Sequence, residues 1–414
     1  MRSVMATQSQ KVLIAVTGRM DSAVAAYLLK KQGMEVHAVA VLFHAQGEPA
    51  SDNDAFTLDP KVVQYGLSDL NLIKKVYDSM EIPFYAVNAQ EQYYALVHDK
   101  VVAHRLMGRS YNSKVATTQL LFDVLVEKAK IIGAKSIATG HYAKLQMNQK
   151  SGENSLFSSP DLVSDQSFLL AGLSQEQLAM LQLPLSDMRK AETEKIAKIM
   201  GIKTEASKKH LNVFEKPTLG KEIEPFLPPD MITDGEVYQH QDDQMIAEHK
   251  GLHHFFLGQG VETGLDIKRT GMERDLVVVD IESKSGKVVV EDPRKLFYTH
   301  VSLVGCRFGG GSNSIFPLDV YIQFKEHGDR VSGKLYFKNN QSCVVEFSNK
   351  QSGLVGRGTV AVVYAKASGV ARVLATGQTQ NCFHMIKGHG RRFAPASPDD
   401  DNDIEQSLKN QMGF

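Results

Sequence analysis

The clearest chemistry in this sequence lies in Thr17-Gly18-Arg19-Met20-Asp21-Ser22. The run before it, Val12-Leu-Ile-Ala-Val16, is apolar and reads as a buried parallel strand. The segment after it presents Val24, Leu28 and Leu29 on one helical face. A strand that ends in a Gly-containing turn at a helix N-terminus aims several backbone N–H groups and the positive end of the helix dipole at one point, and that point attracts phosphate. Asp21 and Ser22 have the side chains to hold Mg²⁺ and phosphate, and as first residues of a helix they serve equally as caps. Arg19 either offers a cation to the phosphates or fills the pocket, and the sequence leaves both open. A second group, His98, Lys100, His104, Arg105 and Arg109, has the charge to meet RNA phosphates, although a solvated helix face has the same composition.

The elements that must position these residues follow a regular rhythm. Residues 36–43 read as a second buried strand, and residues 82–87 and 136–140 as a third and a fourth strand. Between them, Ser68-Asp69 caps a helix carrying Leu70, Ile73, Val76, Tyr77 and Met80. A longer helix over residues 91–107 turns Val97 and Val101 inward, and residues 118–132 give a third through Leu121, Val124, Leu125 and Ile132. Strands alternating with helices predict an α/β fold with a doubly wound parallel sheet. Ligands in such sheets bind at the carboxyl ends of the strands, which groups Thr17, Gly18, Arg19, Asp21 and Ser22 with Phe43, Gly140 and His141; His141 and Tyr142 either line an adenine or ribose or simply end a strand packed on a loop.

At 414 residues the chain is expected to hold two or three domains. The first spans 11–214. A connector with Pro217, Pro225, Pro228 and Pro229 opens a small middle domain over 215–296, where residues 276–281 and 287–291 form a hairpin. Residues 297–386 contain about six short alternating segments and predict a small β-barrel. In one of them, Leu318, Val320, Ile322 and Phe324 face inward, and Asp319, Tyr321, Gln323 and Lys325 outward. Residues 387–414, with Arg391-Arg392 and Asp399-Asp400-Asp401, read as a disordered tail. Lys+Arg and Asp+Glu are both 47, so no global basic field points to DNA, and RNA contacts must come from local patches. No run approaches a membrane span and residues 1–10 lack an apolar core, so a cytoplasmic protein without a membrane partner is expected. The cysteines are only Cys306, Cys343 and Cys382, which lack metal-ligand spacing; no metal site is assigned.

The phosphate turn resembles the Ser-Gly-Gly-x-Asp-Ser loop of the ATP-pyrophosphatases, with Thr17 for the first Ser and Arg19 for the second Gly. Further along come Ala138-Thr-Gly-His-Tyr-Ala143, Asp165-Gln-Ser-Phe-Leu169, Leu173-Ser-Gln-Glu-Gln-Leu178, Leu183-Pro-Leu185 and Met200-Gly-Ile202, then His249-Lys-Gly-Leu-His253 and Leu257-Gly-Gln259. In this order they resemble the tRNA-specific 2-thiouridylases, which exchange the 2-oxygen of a wobble uridine for sulfur, over residues 11–378. The resemblance implies an ATP-binding sheet, a middle domain and a C-terminal barrel, with ATP and Mg²⁺ as cofactors and tRNA as partner. It also places Gln166 and Gln259 on the RNA side, with Lys100, Arg105 and Arg109.

The same resemblance exposes a gap. The family has one cysteine in Asn-Pro-Asp-x-x-Cys and another in Ser-x-x-x-Cys-Phe; one thiolate delivers a persulfide sulfur and the other resolves the disulfide that forms. Here the first position holds Ala116 or Thr117, with Ser113 or Lys114 at the family's Asp, and the second holds Val213 or Phe214. Neither site carries a thiol. The family's Gly-Gln-Arg is also changed, to Gly258-Gln259-Gly260. The expected function is therefore that of a thiouridylase-like protein that binds ATP and tRNA, without sulfur transfer. Two other readings fit the residues. One is an adenylating enzyme that uses a free nucleophile on another RNA or small substrate, and the other is a non-catalytic scaffold.

Overall fold

The computed structural model describes residues 10–43, 67–149, 151–202, 220–221, 224, 227–240, 243–260, 276–309, 317–380 and 385–386. Five parallel strands form the first sheet: β1 (Lys11–Ala15), β2 (Glu35–Leu42), β3 (Phe84–Asn88), β4 (Ser136–Ala138) and, after a short hairpin of β5 (Lys144–Met147) and β6 (Asn154–Phe157), β7 (Leu181–Gln182). Their spatial order is β3-β2-β1-β4-β7. The chain winds outward from β1 in one direction and from β4 in the other, so the gap between their carboxyl ends is the switch point of the sheet.

The period-two alternation of β1 divides its side chains between two cores. Val12 and Ile14 pack with Val24 and Leu29 of α1 (Met20–Lys31), on the same side as Ile73 and Tyr77 of α2 (Leu67–Ser79). Leu13 and Ala15 face the opposite layer. That layer includes α3 (Gln90–Tyr93), which continues through a π-turn at Tyr94–His98 into α4 (Asp99–Leu106), and then α5 (Ser113–Ile132), whose Phe122 and Leu125 are fully buried. Three short helices complete this domain: α6 (Ser167–Leu170), α7 (Gln175–Met180) and α8 (Lys190–Ile199). Both faces of the sheet are covered at β1 and along most of β2, which read as apolar runs, whereas the edge strand β3 is largely exposed, with Tyr85 44% accessible.

The middle domain is a four-stranded sheet in the order β10-β11-β8-β9, built from β8 (Gly235–Gln239), β9 (Gln244–His249), β10 (Val277–Glu282) and β11 (Lys287–Glu291). The expected hairpin is the β10–β11 pair. The barrel comprises β12 (Leu296–Phe308), β13 (Leu318–Gln323), β14 (Val331–Asn339), β15 (Ser342–Ser352), β16 (Val360–Ala365) and β17 (Val373–Thr379). Pairing of β15 with β12 closes it, and β18 (Met385–Ile386) adds to β12. β16 is buried on both faces. Ala361 and Val363 point into the barrel, whereas Val362 and Tyr364 join the core of the α/β domain together with Ala371 and Val373.

Three sequence expectations differ in detail. Helix α5 starts at Ser113, not at 118, because Asn112 caps it by accepting from the Val115 amide at 3.0 Å. The helix over 91–107 contains the π-turn. Gln323 is buried, not wet: its Nε2 donates to the Lys325 carbonyl at 2.9 Å. The proposed tail, most of the Pro-rich connector, Cys382 and both Val213 and Phe214 lie outside the described residues.

Candidate nucleotide site at the sheet switch point

β1 ends in a turn where Gly18 takes φ 70°, a left-handed conformation that glycine adopts without a Cβ penalty. Arg19 is the N-cap of α1, but no side chain caps that helix, and Thr17 and Gly18 are exposed. The first amides of α1 are thus left for a ligand. The Ser22 hydroxyl is not available for the same purpose. It donates to the Arg19 carbonyl at 3.0 Å and accepts from the Thr17 amide at 3.4 Å and the Tyr77 hydroxyl at 3.5 Å, so it braces the turn from within.

The loop after β4 lies directly on this turn. A Cβ on Gly140 would stand 2.7 Å from the Ser22 nitrogen and 2.8 Å from the Asp21 carbonyl carbon, so only glycine permits the approach. Beyond it, the Tyr142 hydroxyl donates to Asp21 Oδ1 at 2.8 Å, and Lys190 Nζ reaches the same oxygen at 2.5 Å. Burial pushes the Tyr142 phenol well above its ordinary range, so it remains a donor. Gln166 holds this loop through its backbone and side chain: its amide donates to the Tyr142 carbonyl, and its Oε1 accepts from the Tyr142 amide. His141 turns the other way, its Nδ1 2.9 Å from Thr139 Oγ1. Burial holds its pKa down to about 4, with Glu326, Lys114, Asp21 and Arg19 as the charges around it. Its imidazole is therefore neutral near pH 7. Phe43, at the end of β2, packs on Tyr93 with ring centroids 5.7 Å apart, and the chain beyond it leaves the described residues.

Comparison with known proteins agrees with this geometry. The family model of the tRNA methyl transferase HUP domain matches residues 10–213. A tRNA-specific 2-thiouridylase MnmA of Clostridium perfringens is 28% identical over 358 residues, covering 86% of this chain and 95% of that protein. The MnmA of Beijerinckia indica is 26% identical over 401 residues, covering 94% and 89%. The MnmA of Geotalea uraniireducens is 37% identical over 196 residues, covering 47% and 51%. Over most of its length the chain is similar to the tRNA-specific 2-thiouridylases. Among solved structures, a 4-thiouridine synthetase–RNA complex with bound ATP shares 17% identity at a TM-score of 0.31, covering 47% of this chain and 41% of that one. An NMN synthetase from Francisella tularensis shares 17% identity at a TM-score of 0.29, covering 51% and 70%.

The positions read in the sequence against the family's first cysteine lie on α5. Ala116 and Thr117 sit within the first turns of α5. Thr117 Oγ1 donates to the Ser113 carbonyl at 2.8 Å, so its hydroxyl is bonded into its own helix. Lys114 pairs with Glu326 of the barrel. Cys306 and Cys343 are buried in the barrel core with their sulfurs 3.7 Å apart.

The proposed RNA contacts are dispersed. Lys100 and Arg109 are half-buried. Arg105 is only 6% exposed; its Nε donates to the His253 carbonyl at 2.8 Å and its guanidinium lies over the Phe256 ring. Gln259 is 3% exposed and holds the turn by accepting from the Phe256 amide. Arg105 and Gln259 thus join and shape domains beneath the surface. Two site residues escaped the sequence reading. Glu326 lies in a β-turn far along the chain, and nothing local marks it. Lys190 did leave a signal, since Arg189-Lys190 places two cations at the positive end of α8, against the helix dipole.

Proposed function

We propose that this chain is a thiouridylase-like protein that binds ATP at the switch point and a tRNA-like RNA across its domains, and that it does not pass sulfur through thiols of its own. The observation that carries the reading is the contrast between the phosphate turn and the start of α5. The phosphate turn, the Gly140 approach and the Lys190–Asp21–Tyr142 cluster are assembled, while Thr117 spends its hydroxyl on the Ser113 carbonyl. The uncapped amides of α1 and the φ of Gly18 fit a pyrophosphate group. A resident Mg²⁺ on Asp21 fits poorly, because Lys190 Nζ already supplies a cation at its Oδ1. Lys100 and Arg109 are the side chains proposed to meet the RNA backbone.

The neutral His141 and the Lys190 cation also favour a second reading. ATP activates a carbonyl oxygen, and a free nucleophile such as sulfide or ammonia completes the exchange without a protein thiol. Purified protein, ATP, tRNA and a persulfide donor test the first reading. ATP and RNA binding without 2-thiouridine are expected, and thiouridine formation overturns the loss of sulfur transfer. RNA-dependent pyrophosphate release with free sulfide or ammonium would select the second. Absence of ATP binding by calorimetry removes both.

A further inference from the structure

The middle domain contains a second cluster of ligating side chains, remote in sequence from the phosphate turn. A single 3-10 turn, Leu252–His254, places two consecutive histidines side by side with ring centroids 4.0 Å apart. Glu224, on the connector, brings its Oε2 to 3.5 Å from His253 Nε2 and 3.7 Å from His254 Nε2. The three ligand atoms lie within 4.8 Å of one another. A tetrahedral ion with bonds of about 2.0–2.2 Å separates its ligands by roughly 3.3 Å, so a modest closure completes the geometry.

The setting points to a ligand. The His253 side chain is 0% exposed; its Nδ1 has no hydrogen-bond partner, and its Nε2 has only the long 3.5 Å approach of Glu224 Oε2. A buried imidazole left short of hydrogen bonds carries a desolvation cost that ligation would remove. Space for the rings is kept by glycine. A Cβ on Gly251 would stand 2.3 Å from His253 Cε1, and one on Gly220 would stand 2.5 Å from His254 Nδ1. Arg105 takes the His253 backbone carbonyl and leaves the ring itself unencumbered.

We propose that Glu224, His253 and His254 form a binding site for a divalent transition-metal ion of the zinc type, which clasps the connector to the middle domain. Two imidazoles and a carboxylate suit Zn²⁺ and its first-row neighbours, whereas Mg²⁺ and Ca²⁺ prefer all-oxygen shells. Three protein ligands leave the fourth position to water or to an incoming group. Because Arg105 of α4 is tied to the same turn, the clasp also fixes the middle domain against the α/β domain.

Untagged full-length protein, stripped with chelator and titrated with ZnCl₂, tests the proposal. One equivalent is expected to bind and to raise the thermal midpoint. Glu224→Gln and His254→Ala are each expected to lose that equivalent while keeping the metal-free midpoint. Excess Mg²⁺ is expected to leave the Zn²⁺ in place, and displacement by Mg²⁺ overturns the nitrogen ligation. No uptake, or uptake that persists in both variants, overturns the site. Should a variant fail to fold, Co²⁺ titration of the unaltered protein decides: the visible absorption of a tetrahedral ion supports the site, and its absence overturns it.

Discussion

Asp21 is the residue on which the nucleotide site converges, since Lys190 and Tyr142 reach the same carboxylate oxygen from α8 and from the β4 loop. Hydrogen bonds to charged groups contribute about 1.5–3 kcal/mol. Lys190→Met is therefore expected to weaken ATP binding by roughly tenfold to a hundredfold, with Lys190→Arg retaining part of the affinity. Calorimetric titration checks this, and an unchanged affinity in Lys190→Met sinks the assigned role. His141 offers a test of a different kind. Its folded pKa of about 4 lies below the unfolded value, so between the two the unfolded chain binds more protons than the folded one. Stability must therefore rise with pH from about 4 to about 6.5 and level off above that, by at most about 3 kcal/mol from this residue. His253 is shifted in the same direction, so His141→Asn should remove only part of the slope. Urea midpoints at pH 5 and pH 7.5 measure it, and an identical difference in the variant contradicts the lowered pKa of this imidazole.

At the scale of elements, the site depends on how closely the β4 loop lies on α1. Gly140→Ala drives a Cβ to 2.7 Å from the Ser22 nitrogen and 3.0 Å from the Asp21 carbonyl oxygen. Backbone cannot yield there without moving the turn, so a loss of about 1–3 kcal/mol in stability is expected, together with loss of ATP binding. A variant with unchanged melting and unchanged ATP affinity would contradict the close approach. The cap of α5 is a milder case: Asn112→Ala removes the acceptor for the Val115 amide and should cost about 1 kcal/mol. These two elements also show what the sequence disclosed. The strand–turn–helix at residues 12–29 and its grouping with Gly140 and His141 were legible, because apolar periodicity and Gly-containing turns are local signals. The true start of α5 was less so: the polar run Ser113-Lys114 hid a helix that its preceding Asn112 announces. The reading of Arg105 as RNA-facing rested on residue type and that of Gln259 on a motif resemblance, and neither reveals burial. The Glu224–His253–His254 cluster was illegible, since its members come together only through the path of the connector.

At the scale of the whole molecule, the barrel is not an independent appendage. Its Tyr364 and Val362 complete the core of the α/β domain, and Ala371 exchanges backbone and side-chain hydrogen bonds with Ser158. The junction is sealed by a partly buried ion pair: Arg330 Nη2 lies 2.6 Å from Asp165 Oδ2 and its guanidinium sits 3.8 Å above the Tyr364 ring, while the Tyr364 hydroxyl meets Ser167 Oγ at 3.1 Å. Asp165 is only 7% exposed, and burial already raises its pKa, so it relies on this cation together with the Ser159 and Ser167 donors. Arg330→Met strands that carboxylate and should cost about 3 kcal/mol at neutral pH. The deficit should shrink as pH falls, because a protonated Asp165 no longer needs the cation. Asp165→Asn combined with Arg330→Met should cost less than the sum of the single changes. The long helices lie in the α/β domain, whereas Arg330 belongs to the barrel, so far-ultraviolet circular dichroism during urea unfolding reads the coupling directly. A barrel substitution that moves the helical midpoint by this amount, in one transition, means that the two domains unfold together. Were the helical transition unmoved while the barrel melted earlier, the shared core would have to be abandoned as the reason these domains stay in register around the nucleotide site.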